Sequence, residues 1–199
     1  MIERIASVVG LLFLAGCGGS SSKENAADSS SNRNMTEATP APSAAPVRSR
    51  DPIAYTSLNP VNCRLLEQNV NEAGYARHLC NGLAGYKLET TESDLRQDII
   101  VIAPDGKRSA LGLSTKVAKG AFNSLGLIAE WRGSDGKNPT ALIVRLGVAD
   151  GAAPNRPDIS NLVVVKLATP ACVLAVVPPS PRQNELARDA ADQLKGACI

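Results

Sequence analysis

The spacing of hydrophobic positions divides the chain into three parts. An apolar run over residues 5–15 follows a short charged lead, and residues 18–50 contain almost no large apolar side chains. From residue 51 onwards, short apolar stretches recur between Gly, Pro, Asn and Asp, a pattern typical of strands joined by turns. The sequence therefore predicts an export signal over residues 1–16, a tether over residues 17–50 and a folded domain over residues 51–199.

Short β-prone runs dominate the predicted domain. Residues 86–91 alternate apolar and polar side chains, which indicates a half-buried strand. Other runs flank turn-forming stretches and predict hairpins. The hairpins predicted in this way pair residues 62–68 with 75–80, 127–132 with 140–148, and 160–167 with 171–177. The runs 97–102 and 109–113 surround Pro104-Asp105-Gly106, whose residues predict a turn. We therefore expect about 7–9 short strands in a mainly antiparallel sheet.

One helix is predicted at the end of the chain. Ser180 is expected to cap it, Pro181 suits the first helical position, and Gly196 ends it. Its apolar stripe consists of Leu186, Ala190 and Leu194, which recur every four residues and indicate packing on a sheet. Residues 114–126 are broken by glycines and are interpreted as a loop with at most one helical turn. Together these elements predict an α+β fold, with the C-terminal helix packed on the sheet.

The beginning of the chain is typical of an exported protein. A short charged lead, an apolar run and small residues mark a secretory signal, and the run is shorter than the ~20 residues that span a bilayer. The stretch Leu14-Ala15-Gly16-Cys17 resembles the lipobox of bacterial lipoproteins. This resemblance implies that Cys17 carries lipid and that the signal is removed just before it. The alternative is an ordinary cleaved signal with an incidental cysteine.

The lipobox resemblance also implies a location. A lipoprotein of this kind carries three acyl chains, and two or more chains make membrane anchoring stable. Gly18 stands where an Asp would be the usual signal for retention in the inner membrane, so the resemblance implies the outer membrane, with the domain facing the periplasm. The tether, rich in Ser, Ala, Asn and Pro, spans roughly 30 Å as a flexible coil.

Composition excludes some function classes. Hydrophobic residues make up 44% of the chain and charged residues 20%, while aromatic residues account for only 3%. The core must therefore be built from Val, Leu, Ile and Ala. The formal net charge is +2, and no basic face with interleaved aromatic residues is visible, so we expect no binding to nucleic acid.

Four cysteines remain after Cys17, and export would bring them to an oxidising compartment where disulfides persist. They allow three connectivities, of which we favour Cys63–Cys80 and Cys172–Cys198. A turn centred on Asn71-Glu72 would place Cys63 opposite Cys80, and directly opposed strand residues lie close enough to bridge. The second pair would attach the final helix to the last strand. A metal site or a redox pair is the alternative, but no two of these cysteines have CxxC spacing.

Candidate catalytic residues are few. His78 is the only histidine, so any Ser-His-Asp or Cys-His arrangement must use it, although the interpretation that we favour is a surface or edge histidine. Glu92 and Asp94 lie in an acidic stretch over residues 92–98 that suits acid–base work or Ca²⁺ binding, or simply a solvated turn. No GxGxxG motif follows a strand. We expect no catalytic set, no metal and no cofactor.

Trp131 is the candidate for a binding platform. It stands between Glu130 and Arg132, and Trp and Arg are over-represented among interface residues. The alternative, which we favour for a lone Trp in a strand, is that Trp131 fills the core of a domain with few aromatic residues. With Tyr86 and Phe122, Trp131 and Arg132 form the binding surface that the sequence suggests.

The domain carries two resemblances. Residues 110–114, 120–126 and 129–133 are similar to small secreted proteins of Gram-negative envelopes that have no assigned activity. The combination of lipobox, tether and small disulfide-bonded β domain is loosely similar to membrane-bound lysozyme inhibitors, but their inhibitory Ser-Gly…Tyr loop is missing here.

Three functions follow as hypotheses. The first is a lipid-anchored binding module for an envelope protein or a cell-wall partner. The second is an inhibitor of a cell-wall hydrolase. The third is a small periplasmic enzyme centred on His78 or on Glu92 and Asp94.

Overall fold

The structure, a computed structural model, describes residues 54–71, 74–133, 137–153 and 155–199. All of them lie in the unit Val47–Ile199. The predicted signal, Cys17 and the tether lie outside the described residues, as does Glu72 of the first predicted turn.

Ten strands and two α-helices are found in this part of the chain. The strands are β1 (Ala54–Ser57), β2 (Arg64–Asn69), β3 (Tyr75–Asn81), β4 (Lys87–Ser93), β5 (Arg96–Ile102), β6 (Arg108–Ala110), β7 (Asn123–Arg132), β8 (Ala141–Val148), β9 (Ile159–Lys166) and β10 (Cys172–Val177). The helices are α1 (Leu113–Lys116) and α2 (Gln183–Gln193), and a 3-10 turn covers Pro60–Asn62.

The strands form two antiparallel sheets of five. The first sheet has the order β1-β7-β8-β9-β10, and the second has the order β2-β3-β4-β5-β6. The predicted fold class, mainly antiparallel β with a C-terminal helix, is confirmed. The three predicted hairpins are present as β2–β3, β7–β8 and β9–β10. The two runs around Pro104-Asp105-Gly106 form β5 and β6, which also pair with each other. Strand β1 was not expected from the sequence, and it brings the described strands to ten where about 7–9 were predicted.

The main core lies between the two sheets. Alternate side chains of each sheet point inwards, so that Leu88 and Ile99 of the second sheet share one buried cluster with Leu142, Val144 and Val163 of the first. As the composition predicts, this core is almost entirely aliphatic.

Helix α2 forms a third layer on the outer face of the first sheet. Ala187 and Ala191 are buried there against Ile143, Leu162 and Val164. Small alanine side chains allow the helix backbone to approach the sheet closely. The predicted apolar stripe is partly wrong, because Leu186 is 44% exposed and the buried face is rotated by one residue.

The ends of α2 also differ from the prediction. The helix begins at Gln183, and the amide of Gln183 donates to the carbonyl of Ser180, so Ser180 lies in a turn before the helix rather than at its cap. At the other end, Leu194 adopts the left-handed conformation with φ of 49°, and so the helix ends before Gly196.

Both predicted disulfides are present. Cys63 and Cys80 have their Cα atoms 4.4 Å apart, and those of Cys172 and Cys198 are 5.8 Å apart. The second disulfide holds the C-terminal tail beside edge strand β10, where the amide of Ile199 donates to the carbonyl of Val173. A covered edge is one way to prevent pairing with strands of other chains.

Candidate functional site: a cleft between the two sheets

A cleft of about 200 Å³ lies between the two sheets, close to the end where β4 turns into β5. Side chains from both sheets and from the segment after β1 line it. The lining residues are Leu58, Pro60, His78, Thr90, Thr91, Glu92, Gln97, Leu125 and Leu127.

One wall of the cleft is polar. His78 pairs with Thr90 across β3 and β4, and Glu92 pairs with Gln97 across β4 and β5. His78 and Glu92 are diagonal neighbours on this face, a position in which Cα atoms are about 7–8 Å apart. Two candidate residues of the sequence, the lone histidine and Glu92, are therefore brought together.

Gln97 holds this wall against the opposite sheet. Its side-chain amide donates to Glu92 Oε2 at 2.8 Å, while its carbonyl Oε1 accepts from the amide of Leu125 at 2.6 Å. The backbone amide of Gln97 donates to Oδ1 of the buried Asn123. These bonds fix the orientation of the Glu92 carboxylate, whose Oε1 has no hydrogen bond from the described residues.

The remaining polar groups of the wall have no partner within the described ranges. Neither the imidazole of His78 nor the hydroxyl of Thr90 makes a side-chain hydrogen bond there, and Glu92 forms no ion pair there. No fully buried side-chain polar atom of the described residues lacks a partner, so these groups are accessible from the cleft. They are available to donate to or accept from a bound molecule.

The opposite wall is apolar because β7 bulges. Leu125 pairs with Leu146 and Ala129 with Val144, so the residues between them on β7 outnumber those on β8. This bulge turns Leu127 towards the cleft, and the carbonyl of Leu127 accepts from the amide of Leu58 at 2.8 Å. A β-bulge often re-aims side chains beside a functional site.

A second depression adjoins the cleft, since Glu92 and Gln97 line both. Leu95 and Phe122 lie in it. They and Leu127 are 62%, 46% and 57% exposed, respectively. We call these three residues the apolar rim.

The turn at the rim is strained. Asp94 and Leu95 join β4 to β5 with φ values of 50° and 56°, a region that bulky side chains rarely adopt. The amide of Asn123 donates to the carbonyl of Leu95, and the Arg96 guanidinium lies 4.8 Å from the centre of the Phe122 ring. Ser93 pairs with Arg96 across the turn, and a two-residue hairpin loop of this kind requires positive φ at both central residues, so the hairpin accounts for the conformation and holds Leu95 exposed at its tip.

The surface suggested by Trp131, Arg132, Tyr86 and Phe122 is not assembled. Trp131 is buried between the sheets, where its indole N–H donates to Thr56 and its ring lies 5.8 Å from that of Tyr86. This agrees with the alternative that Trp131 fills the core. Consecutive strand residues point to opposite faces, and Arg132 is consequently buried on the other face, beneath α2. Phe122 is exposed, and Tyr86 is partly buried against the core.

Arg132 has a structural partner. Its guanidinium donates twice to Asp192 of α2, at 2.9 and 2.6 Å. Next to it, Arg188 of the helix donates twice to Glu130, at 2.8 and 3.0 Å, and Glu130 raises the pKa of Arg188 by accepting these bonds. These pairs fix the rotation of α2 on the sheet.

The acidic stretch over residues 92–98 is split between different environments. Glu92 faces the cleft, whereas Asp94 pairs with Arg96 at the exposed turn. Asp98 accepts from the amide of Leu113 at 2.9 Å and from the hydroxyl of Ser114 at 3.2 Å, which holds the start of α1. The structure therefore does not bring two carboxylates of this stretch to one site.

Sequence reasoning missed an ionic network on the outer face of the second sheet. Glu89 is only 1% exposed, and its carboxylate accepts from Arg77 at 3.0 and 2.8 Å and from Arg108 at 2.7 Å. Burial raises the pKa of Glu89, but the hydrogen bonds from Arg108 and Arg77 outweigh burial and lower this pKa below its usual value. The signal in the sequence that could have indicated this network is strand alternation, which places Glu89 on the face of the sheet opposite to that of Leu88.

No three His, Cys, Asp or Glu side chains of the described ranges are grouped to hold a metal ion. Within the same ranges, neither helix has the length and apolar character needed to cross a bilayer. Comparison of the chain with family models, with curated proteins and with solved structures found no match.

Proposed function

We propose that this protein is a lipid-anchored envelope protein whose domain binds a partner through the cleft and its apolar rim. The lipobox resemblance supports the anchor, and the two disulfides suit an oxidising compartment. The observation that carries the binding function is the cleft itself, where accessible polar side chains face an apolar wall beside three exposed apolar residues.

The composition of this surface suits recognition. A partner that covers the apolar rim removes Leu95, Phe122 and Leu127 from water, which favours association. The polar wall supplies the few hydrogen-bonding groups that orient a ligand in an otherwise apolar site. Both features lie on one end of the domain, so a single partner reaches them together.

Mass spectrometry of the protein purified from its native membrane tests the anchor. We expect a chain that begins at Cys17 and carries acyl groups, and we expect Cys17→Ser to abolish acylation. An intact Met1, or a processed chain without fatty acid, would contradict the anchor.

Site-specific photo-crosslinking in intact cells tests the binding surface. A photoreactive amino acid replaces Leu127 or Phe122 in the full chain, and Leu186 on α2 serves as the matched control because its exposure is similar. We expect one discrete crosslinked product from the rim positions and none of that size from Leu186. Equal products from all three positions, or none from the rim, would contradict the proposal.

A further inference from the structure

We infer that the cleft receives one lysine side chain of a protein partner, with its ammonium group at Glu92 and its aliphatic stem against Leu125 and Leu127. This inference rests on the proposed function, because it names what enters the cleft.

The charge of the cleft favours a positively charged group as its occupant. Glu92 is the only formally charged side chain among the lining residues. Within the described ranges no Lys or Arg neutralises it, and Oε1 has no hydrogen bond. A carboxylate that is fixed in place and partly buried favours a positively charged partner, since Coulomb attraction strengthens away from bulk water.

The geometry of Glu92 favours an ammonium over a guanidinium. Gln97 already donates to Oε2, so only Oε1 is fully available. An arginine binds a carboxylate best when it uses both oxygens at once. A lysine ammonium is a compact charge with three rotatable donors, and the hydroxyl of Thr90 offers a further acceptor on the same wall.

The size of the cleft indicates a side chain rather than a whole ligand. Its volume of about 200 Å³ is below the ~300–1,000 Å³ typical of small-molecule sites. The opposite wall of Leu58, Leu125 and Leu127 is aliphatic, as the stem of a lysine requires. The apolar rim would contact the residues of the partner that flank the lysine.

The test uses His78 as a reporter. Because it is the only histidine, its imidazole gives a single pair of proton NMR signals in the full-length chain purified in detergent. The probes are a capped pentapeptide Ala-Ala-Lys-Ala-Ala, the same peptide with Gln at the centre, and free 1,5-diaminopentane. We expect the Lys peptide to shift the His78 signals in a saturable manner and the Gln peptide to leave them in place.

Variants define the role of Glu92. We expect Glu92→Gln, which keeps the shape of the side chain, to weaken binding of the Lys peptide at least about tenfold, equivalent to about 1.4 kcal/mol. Glu185→Gln makes the same charge change on the exposed side of α2 and should leave binding unchanged. An unaltered thermal unfolding midpoint for Glu92→Gln shows that the variant is folded. If it is lowered, Thr90→Val replaces it, with weaker binding of the Lys peptide expected.

Failure of the Lys peptide to bind would overturn the inference, and so would three further results. They are equal shifts with the Gln peptide, unchanged affinity of the Lys peptide for folded Glu92→Gln, and tighter binding of 1,5-diaminopentane than of the Lys peptide, which would identify a free amine as the occupant. If Leu127 still gives its crosslinked product when the Lys peptide fails to bind, only this inference fails. Loss of the crosslinked product would instead refute the proposed function.

Discussion

Replacement of Glu89 by Gln tests the ionic network on the second sheet. The carboxylate of Glu89 accepts three hydrogen bonds from Arg77 and Arg108 although the side chain is 1% exposed. Gln keeps the size of the side chain, but it removes the charge and turns an NH₂ group towards one of the arginines. The substitution therefore isolates electrostatics from packing.

The size of the expected loss in stability follows from the number of hydrogen bonds to Glu89 and from the exposure of the two arginines. A hydrogen bond to a charged group contributes about 1.5–3 kcal/mol. Arg77 and Arg108 remain partly exposed and regain water when Glu89 is replaced, which offsets part of the loss. We therefore expect the free energy of unfolding to fall by about 2–3 kcal/mol, less than the ~3–5 kcal/mol of breaking a fully buried pair.

The effect also depends on pH. Because the pKa of Glu89 is lower in the folded than in the unfolded state, its contribution to stability is complete above the unfolded pKa of about 4.3. It is lost as the pH falls through the lowered folded pKa. Wild type and Glu89→Gln should consequently differ most near neutral pH and converge in acid.

Urea unfolding followed by circular dichroism measures both effects. Glu67→Gln is the matched control, since Glu67 also pairs with Arg77 but is 53% exposed, and exposed pairs contribute little. A loss for Glu89→Gln no larger than that for Glu67→Gln would refute the reasoning. So would a difference from wild type that does not shrink at low pH.

Three further substitutions give distinct outcomes. Gly82→Ala would place a Cβ 2.7 Å from the ring of Trp131, so calorimetry should show a loss of about 1–3 kcal/mol from overpacking. The double variant Cys172→Ser/Cys198→Ser removes a disulfide that joins residues 26 positions apart. Urea unfolding should show a free energy of unfolding that is lower by about 3.5 kcal/mol. Arg132→Ala removes the partner of Asp192, which is 30% exposed and regains water, so the free energy of unfolding in urea should fall by about 2–3 kcal/mol, less than for a fully buried pair, with crosslinking from Leu127 retained at temperatures where the variant is folded.

The strands were predictable because their signal is local. Alternating side chains and turn residues mark each hairpin within one continuous stretch of the chain, and the β2–β3 hairpin placed Cys63 opposite Cys80 as expected. Strand β1 was missed because its four residues carry little apolar signal, and its partner β7 lies about seventy residues away.

The role of Trp131 and Arg132 was not predictable in the same way. The sequence shows that neighbouring strand residues face opposite sides, but it does not show that both sides are covered. One side lies against the second sheet and the other beneath α2, and only the packing of three layers reveals this. The rotation of α2 was missed for the same reason, since ion pairs with the sheet set it.

The sequence by itself determined the hairpins and the aliphatic core, because each depends on residues that are close along the chain or on composition. It favoured the disulfide pairs among three connectivities, and the structure shows those pairs. The tertiary structure alone decided the cleft. His78 and Glu92 come from two strands, Gln97 from a third, and Leu127 from a bulge in the other sheet. These side chains come together because of the way the two sheets pack against each other, and no local pattern in the sequence encodes that contact.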